Sequence, residues 1–368
     1  MTRVTIILAA LLATPALADV TVILRGGEQP LVGTSMLADA HGVDVRTGAA
    51  ANAHTLVPWD MVRELKGSSV GASDAEFLAM GEDLWRARVR IERGDTPLAL
   101  PLLSKRWAQL HDVEGPTAAL VAEGMLRCAL ASGDMRGAIE PWLACLRHRA
   151  AGVDTRFPTL TPVIDADNGL LPQFSPFLPA ARRADFVAAC EAARTSAGSR
   201  DIAGAEVAAC LARIAAGTPT AANTADPAAA PRTASPAVRA LSAIETMLAA
   251  PDARALDKAV AAFDRAYAEP PSYLAAWRLA AIGSCRARLA RATTGATTGA
   301  ARNAALSHAA LELLAVPAAS LDRTGLVDAY AIEQAAALIR ESGDDASAAQ
   351  LAALAADKIQ SGNQTSAR

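Results

Sequence analysis

The chain has 368 residues, of which 52% are hydrophobic but only 4% aromatic, and its formal net charge is −3. Because there is no excess of basic residues to neutralise phosphates, nucleic acid is not expected as a partner. The apolar content is mostly alanine, leucine and valine, which favours closely packed helices, since alanine has the highest intrinsic helix propensity.

Residues 1–18 have the three parts of an export signal. Arg3 gives a positive start, residues 4–12 are an apolar run too short to span a membrane, and residues 16–18 (Ala-Leu-Ala) match the small-x-small end that signal peptidase cleaves. We therefore expect a mature chain that begins near Asp19, in the periplasm or cell envelope. No later apolar run reaches the ~20 residues needed to cross a bilayer, so no stable membrane insertion is expected after cleavage.

Residues 19–68 are expected to form a small β module. Short strands at this spacing, with turn residues between them, predict a strongly bent sheet or barrel. A glycine-led strand, a Gly-Val strand and the Val-Pro-Trp-Asp segment at 57–60 resemble the SH3-like or Sm-like small barrels of exported bacterial proteins. Trp59 then has two interpretations, as part of a peptide-binding groove or as the largest core residue of the module. The candidate strands are Val20–Arg25, Leu31–Ala38, His41–Arg46, His54–Val57 and a short strand ending at Leu65.

From Ser73 onward the pattern is helical, with helices that end at glycine and restart at aspartate. Glycine accepts the left-handed C-cap conformation, and aspartate can bond the free amides of the next helix. An alanine five residues after each glycine lets the two helices of a hairpin approach closely. This pattern resembles tetratricopeptide-type repeats, which implies a stack of α-hairpins. The recurring pairs are Gly94-Asp95, Gly133-Asp134 and Gly343-Asp344.

Two segments interrupt the helices. Residues 151–179 are rich in proline and contain three phenylalanines, and irregular segments of that length are often functional. Their apolar content predicts that they pack over a helical surface. Within them, residues 165–169 are expected to form a turn stabilised by aspartate and asparagine side chains. Residues 217–235, rich in alanine, proline and threonine, are expected to be a flexible linker.

The interruptions divide the predicted helical body into two hairpin domains. The first covers 73–216, with residues 151–179 as a Pro-rich insert, and the second covers 236–360. Residues 361–368 are expected to be a disordered tail. In the second domain we expect helices near 236–249, 252–268, 272–291, 301–316, 324–341 and 344–360.

The five cysteines leave at least one thiol without an intramolecular partner. Cys190 and Cys210 lie at similar distances from the turn of a predicted hairpin, so a disulfide between them is one hypothesis. Cys128 and Cys145 flank another turn less symmetrically. The alternative is that all five, including Cys285, are buried free thiols. None lies in a Cys-x-x-Cys motif, which gives no support for thioredoxin-like chemistry or a zinc site.

No local arrangement of residues predicts catalysis, a metal site or a cofactor. The candidate binding residues are instead aromatic and basic side chains on predicted helices and on the β module. The tryptophans are interpreted as fillers between hairpins or as exposed anchors. The arginines are interpreted as an ion-paired surface or as a stripe that receives an acidic partner. These candidates are Trp59, Trp85, Arg86, Arg90 and Trp142.

His148 lies between Arg147 and Arg149 at a predicted helix C-terminus, where positive charge is favourable. We therefore expect it to contribute to helix capping.

The sequence as a whole predicts a mainly α protein, a tetratricopeptide-like hairpin stack behind a small β module. The expected function is a non-enzymatic exported interaction or scaffold protein of the cell envelope, which binds an envelope protein or peptide through its hairpin surfaces. A cell-wall or polysaccharide-binding protein built on the β module is one alternative. An envelope enzyme subunit, with catalytic groups that converge from distant positions, is another.

Overall fold

The computed structural model describes residues 20–47, 53–67, 74–197, 201–218, 234–292, 299–319, 321 and 325–365. This part of the chain is mainly helical, with a small antiparallel β region at its N-terminal end, as the sequence predicts. The predicted export signal and residues 219–233 of the predicted linker lie outside the described residues. None of the described helices is long and apolar enough to cross a bilayer.

The β region consists of two three-stranded antiparallel sheets. One has the order β2-β1-β6 and the other β3-β4-β5. The predicted strand 31–38 is divided at Thr34, because β2 pairs with β1 while β3 pairs with β4. A 3-10 turn at Trp59–Met61 leads into the last strand. The strands are β1 (Val20–Leu24), β2 (Leu31–Gly33), β3 (Ser35–Ala38), β4 (Val43–Arg46), β5 (His54–Val57) and β6 (Val62–Gly67).

Twelve α-helices follow in the described residues. Residues 151–179, called the insert below, connect the fourth helix to the fifth without regular structure. The last helix continues past residue 360, where the sequence predicted a disordered tail. The helices are α1 (Asp74–Glu92), α2 (Thr96–Leu110), α3 (Pro116–Ser132), α4 (Met135–Ala150), α5 (Ala180–Ala197), α6 (Ile202–Ala216), α7 (Pro236–Ala249), α8 (Ala253–Ala266), α9 (Ser272–Ala292), α10 (Gly299–Ala318), α11 (Leu326–Glu341) and α12 (Asp345–Thr365).

The predicted glycine–aspartate helix boundaries occur in the structure, with one correction. Gly133 is left-handed at a φ of 71°, and the Asp134 side chain accepts a 2.8 Å hydrogen bond from the Gly137 amide. Asp95 was expected to cap α2 in the same way but makes no such bond. The second residue of α2 is Pro97, which has no amide hydrogen, and the next amide, of Leu98, donates to the Asp95 backbone carbonyl.

The hydrophobic core has two parts that meet within α3. The first part joins the β region to α1, α2 and α3 and includes Phe157 of the insert. The second runs from α3 to α11 and includes the insert residues Leu170, Phe174 and Phe177. Helices on both sides of the predicted linker 217–235 therefore share one core. The insert belongs to both parts, which confirms that it packs against helices.

Gly81 lets α1 approach the turn at Trp59. A Cβ atom at Gly81 would lie 2.6 Å from the Trp59 carbonyl oxygen, and backbone cannot move aside as a flexible side chain can. We expect Gly81→Ala to lower the free energy of unfolding by about 1–2 kcal/mol, although alanine favours helix by ~1 kcal/mol. Chemical denaturation measures the effect. The control is Gly299→Ala, where a Cβ meets nothing within 4 Å, and an equal loss there would contradict the packing argument.

Candidate functional site

A cavity of about 330 Å³ lies between α3, α4 and the insert. Its volume is within the range of pockets that hold small ligands or parts of a peptide. The wall is mostly apolar, with a few polar groups on the helices and at the mouth. The lining residues are Ala119 and Glu123 of α3, Cys145, His148 and Arg149 of α4, and Gly152, Val153, Asp154, Thr155, Pro162, Val163, Ile164 and Ala166.

Glu123 fixes the first part of the insert against α3. Its carboxylate accepts hydrogen bonds from the Arg127 guanidinium at 2.8 and 3.1 Å, from the Thr155 hydroxyl at 2.9 Å and from the Arg156 amide at 2.9 Å. Arg127 also donates to the Thr161 carbonyl. The negative charge of Glu123 is therefore paired, and both of its oxygens are occupied.

A second buried carboxylate ties the insert to the β region. Asp60 is fully buried and accepts hydrogen bonds from Arg88 of α1 at 2.6 Å and from Arg156 of the insert at 3.0 Å. One anion thus holds two cations that come from different parts of the chain. The fixed position of Arg156 places the Thr155 hydroxyl on the cavity wall.

The far wall of the cavity is held by the predicted turn at 165–169. The Asp165 carboxylate accepts from the amides of Asp167 and Asn168, which confirms the expected side-chain turn. The Asn168 side chain donates to the Tyr273 hydroxyl of α9, and that hydroxyl also donates to Asp165. Arg149 of α4 donates to the carbonyl oxygens of Asp165 and Ala166. The cavity is therefore bounded by fixed segments.

His148 is a buried, uncharged part of the cavity wall. It is 3% exposed, and burial, with the charge of Arg147, lowers its pKa from 6.5 to about 4. The capping role expected from the sequence is wrong, because a neutral imidazole carries no charge to oppose the helix dipole. Its Nδ1 atom is enclosed and has no hydrogen-bond partner among the described residues.

The lowered pKa of His148 makes stability depend on pH. The unfolded chain takes up this proton near pH 6.5, whereas the folded chain takes it up near pH 4, so stability from this group falls as the pH drops between these values. The slope reaches about 1.4 kcal/mol per pH unit. We expect the stability difference between the wild type and His148→Gln to shrink over this window in denaturation experiments. A constant difference from pH 6.5 to 4.5 would show that folding does not lower the pKa of His148.

The Cys145 thiol of the cavity is held in its neutral form. Burial raises the pKa of the Cys145 thiol far above its usual range, and the neighbouring Glu123 raises it further. Among the described residues, no group of three or more histidine, cysteine, aspartate or glutamate side chains is arranged to hold a metal ion. What the cavity offers is a partly open, mainly apolar volume with polar side chains on its wall.

Two of the predicted binding residues are core residues instead. Trp59 is fully buried, stacks on Phe77 at 5.2 Å and donates its indole hydrogen to the Asp39 carbonyl. Trp142 is also fully buried and donates to the Gly169 carbonyl of the insert. The small β region and the alanine-rich helices need large side chains to fill their cores, which explains why both rings are buried. Neither ring can therefore serve as an exposed anchor.

The other three predicted binding residues lie on α1, away from the cavity. Trp85 is half-buried beneath the Arg25 guanidinium, 4.8 Å from the ring centre. Arg86 is exposed and paired with Glu82 at 2.7 Å, and Arg90 donates to the Leu98 carbonyl. These contacts match the interpretation of the charged helix as an ion-paired surface.

The proposed disulfide between Cys190 and Cys210 is absent. All five cysteines are buried free thiols, which is the alternative that the sequence left open. Equal distance from a turn does not fix how each side chain is rotated about its helix. The Cys210 sulfur accepts a hydrogen bond from Arg213, whose guanidinium is bound to Glu245 of α7.

Sequence reasoning singled out the insert but missed the cavity residues beside it. Glu123 lies in an apolar stretch of α3, and a lone charge in such a stretch is the available signal for a buried, paired carboxylate. The position of His148 between two arginines instead indicated a charged residue at the helix end.

Comparison of the chain with protein-family models, with curated proteins and with solved structures gives no match. Function is therefore argued from the geometry alone.

Proposed function

We propose that this chain is a non-enzymatic, exported interaction or scaffold protein of the cell envelope, and that it holds a segment of a peptide or protein in the cavity beside the insert. The single observation that carries the proposal is the cavity itself. Its volume of about 330 Å³ suits one or two side chains with their backbone, and its walls are fixed before any ligand arrives.

The arrangement of the helices supports the same proposal. Successive helices from α1 to α12 pack against one another as neighbours along the chain, which is consistent with a tetratricopeptide-like stack of hairpins. We propose that the β region is an SH3-like module that shares its core with α1, α2 and α3. No cofactor and no nucleic acid are required, and after cleavage of the export signal the chain needs no membrane insertion.

No observation favours the two alternatives. Polysaccharide binding depended on an exposed aromatic surface around Trp59, and that side chain is fully buried. Catalysis requires an activated group, whereas Glu123 is paired and the pKa of the Cys145 thiol is raised. The cavity is better suited to holding a ligand than to transforming one.

A peptide selection with a cavity-blocking variant tests the proposal. Ala166 is exposed at the cavity wall, so Ala166→Phe is expected to narrow the cavity without disturbing the core. Ala150 is equally exposed at the end of α4 but does not line the cavity, so Ala150→Phe is the matched control. We expect peptides selected from a random library on the wild-type protein to bind at least tenfold more weakly to Ala166→Phe and equally well to Ala150→Phe.

Two results would overturn the proposal. The first is a library that yields no binding peptide for the folded wild-type protein. The second is a set of peptides that bind Ala166→Phe as tightly as the wild type, because binding would then lie elsewhere on the surface.

A further inference from the structure

We infer that the cavity selects an apolar side chain next to one uncharged hydrogen-bond acceptor, such as a peptide carbonyl, and that the His148 Nε2–H group is the donor to it. This inference rests on the proposed function and names the chemistry of the ligand. It depends on three properties of the described wall: the environment of His148, the balance of the charged groups and the apolar surface.

The first property is the different environment of the two ring nitrogens of His148. Nδ1 is enclosed without a partner, whereas Nε2 makes no hydrogen bond to the described residues and is not enclosed. Because His148 lines the cavity and Nδ1 is enclosed, we take Nε2 as the atom offered to a ligand. A neutral imidazole has one N–H, and an enclosed N–H without an acceptor is rarer in proteins than an under-satisfied acceptor. The proton is therefore placed on Nε2.

The second property is that the charged groups of the wall balance one another. Glu123 is paired with Arg127, and Arg149 adds a positive charge, with two of its N–H groups bound to the carbonyls at 165 and 166. Asp154 adds a negative charge at the exposed mouth. These charges sum to zero, so a carboxylate in the cavity would lose its hydration without a net positive charge to offset the loss, whereas one N–H bond satisfies a carbonyl.

The third property is the apolar surface around this donor. Ala119 and the partly buried side chains of Val153, Val163 and Ile164 surround the enclosed volume. An aliphatic side chain that displaces water from this surface would gain roughly 25 cal/mol for each Å² that it buries. Leucine, isoleucine or valine followed by a peptide carbonyl has the required combination.

Two small probes test this chemistry by protein-detected NMR titration. N-acetyl-leucine N-methylamide carries the aliphatic side chain and uncharged carbonyls, and N-acetyl-leucine replaces one amide by a carboxylate. For the amide we expect shifts at Ala119, Val153 and Ile164, with a dissociation constant on the order of 1 mM. The carboxylate is expected to bind at least tenfold more weakly.

Variants of His148 identify the donor. His148→Phe keeps an aromatic ring without the N–H group, and we expect it to weaken amide binding about tenfold. His148→Gln restores a donor and is expected to recover part of the affinity, which separates loss of the donor from misfolding. His308→Phe, an exposed histidine on α10, is the matched control and is expected to bind like the wild type.

The outcomes distinguish this inference from the proposed function. Equal or tighter binding of the carboxylate, or unchanged binding of the amide to folded His148→Phe, would overturn the inference while cavity binding still stands. The absence of shifts with both probes would also overturn it. Failure of the peptide selection would remove the proposed function itself.

Discussion

Replacement of Asp60 by asparagine is expected to lower the free energy of unfolding by about 3 kcal/mol. Asp60 is fully buried and holds Arg88 and Arg156, whose side chains are only 22% and 20% exposed. Asparagine keeps the shape but removes the charge, which leaves Arg156 without its anion and Arg88 with only Glu92 at 3.6 Å. Breaking a buried ion pair in this way costs more than the pair contributes, because the remaining charges stay desolvated.

The loss should be centred where the insert meets the β region. Hydrogen exchange is expected to rise most at the Arg156 and Phe157 amides, and chemical denaturation gives the total effect. The control is Glu64→Gln, which removes an exposed partner of Lys66 and is expected to change stability by less than ~0.5 kcal/mol. A change of that size in Asp60→Asn would show that Asp60 does not hold the three elements together.

Truncation of Trp142 to alanine is expected to cost about 4 kcal/mol. The side chain is fully buried on α4, its ring centre lies 5.5 Å from that of Phe174, and its indole donates to the Gly169 carbonyl at 3.0 Å. The substitution therefore leaves a cavity and also an unpaired carbonyl in the insert. Thermal or chemical unfolding measures the loss.

Trp85→Ala is the matched control for Trp142. That ring is half-buried and makes one cation–π contact with Arg25, so its removal is expected to cost about 1 kcal/mol. Similar costs at the two positions would contradict the assignment of Trp142 to the core and favour the other interpretation of the sequence, an exposed anchor.

The helical architecture could be predicted because local chemistry determines it. Three patterns can each be recognised from a few consecutive residues. They are the cap at Gly133-Asp134, the alternating valines of β1 and the turn at 165–169. The cap and the turn require only the backbone and its nearest neighbours, whereas β1 has a local pattern but pairs with the distant β6. The failure at Asp95 also has a local cause, since Pro97 lacks the amide that a cap would bind.

The candidate site could not be predicted because its residues are brought together by packing. Glu123 meets Thr155 and Arg156 across more than 30 residues, and Asp60 meets Arg156 across 96. The pKa of His148 is set mainly by burial, which a charged local sequence conceals. The same holds for Trp59, whose burial depends on Phe77 and the helices that cover it.

Site-specific photo-cross-linking in the native host tests whether the cavity beside the insert holds a partner. A photoreactive residue at Asp154, on the exposed mouth of the cavity, is compared with one at Ala150, which is exposed but does not line it. The expected result is one defined peptide or protein cross-linked from position 154, absent from position 150, and lost when Ala166→Phe is added. Cross-links of equal pattern from both positions, or none from position 154 in correctly folded protein, would contradict the assignment of this cavity as the binding site.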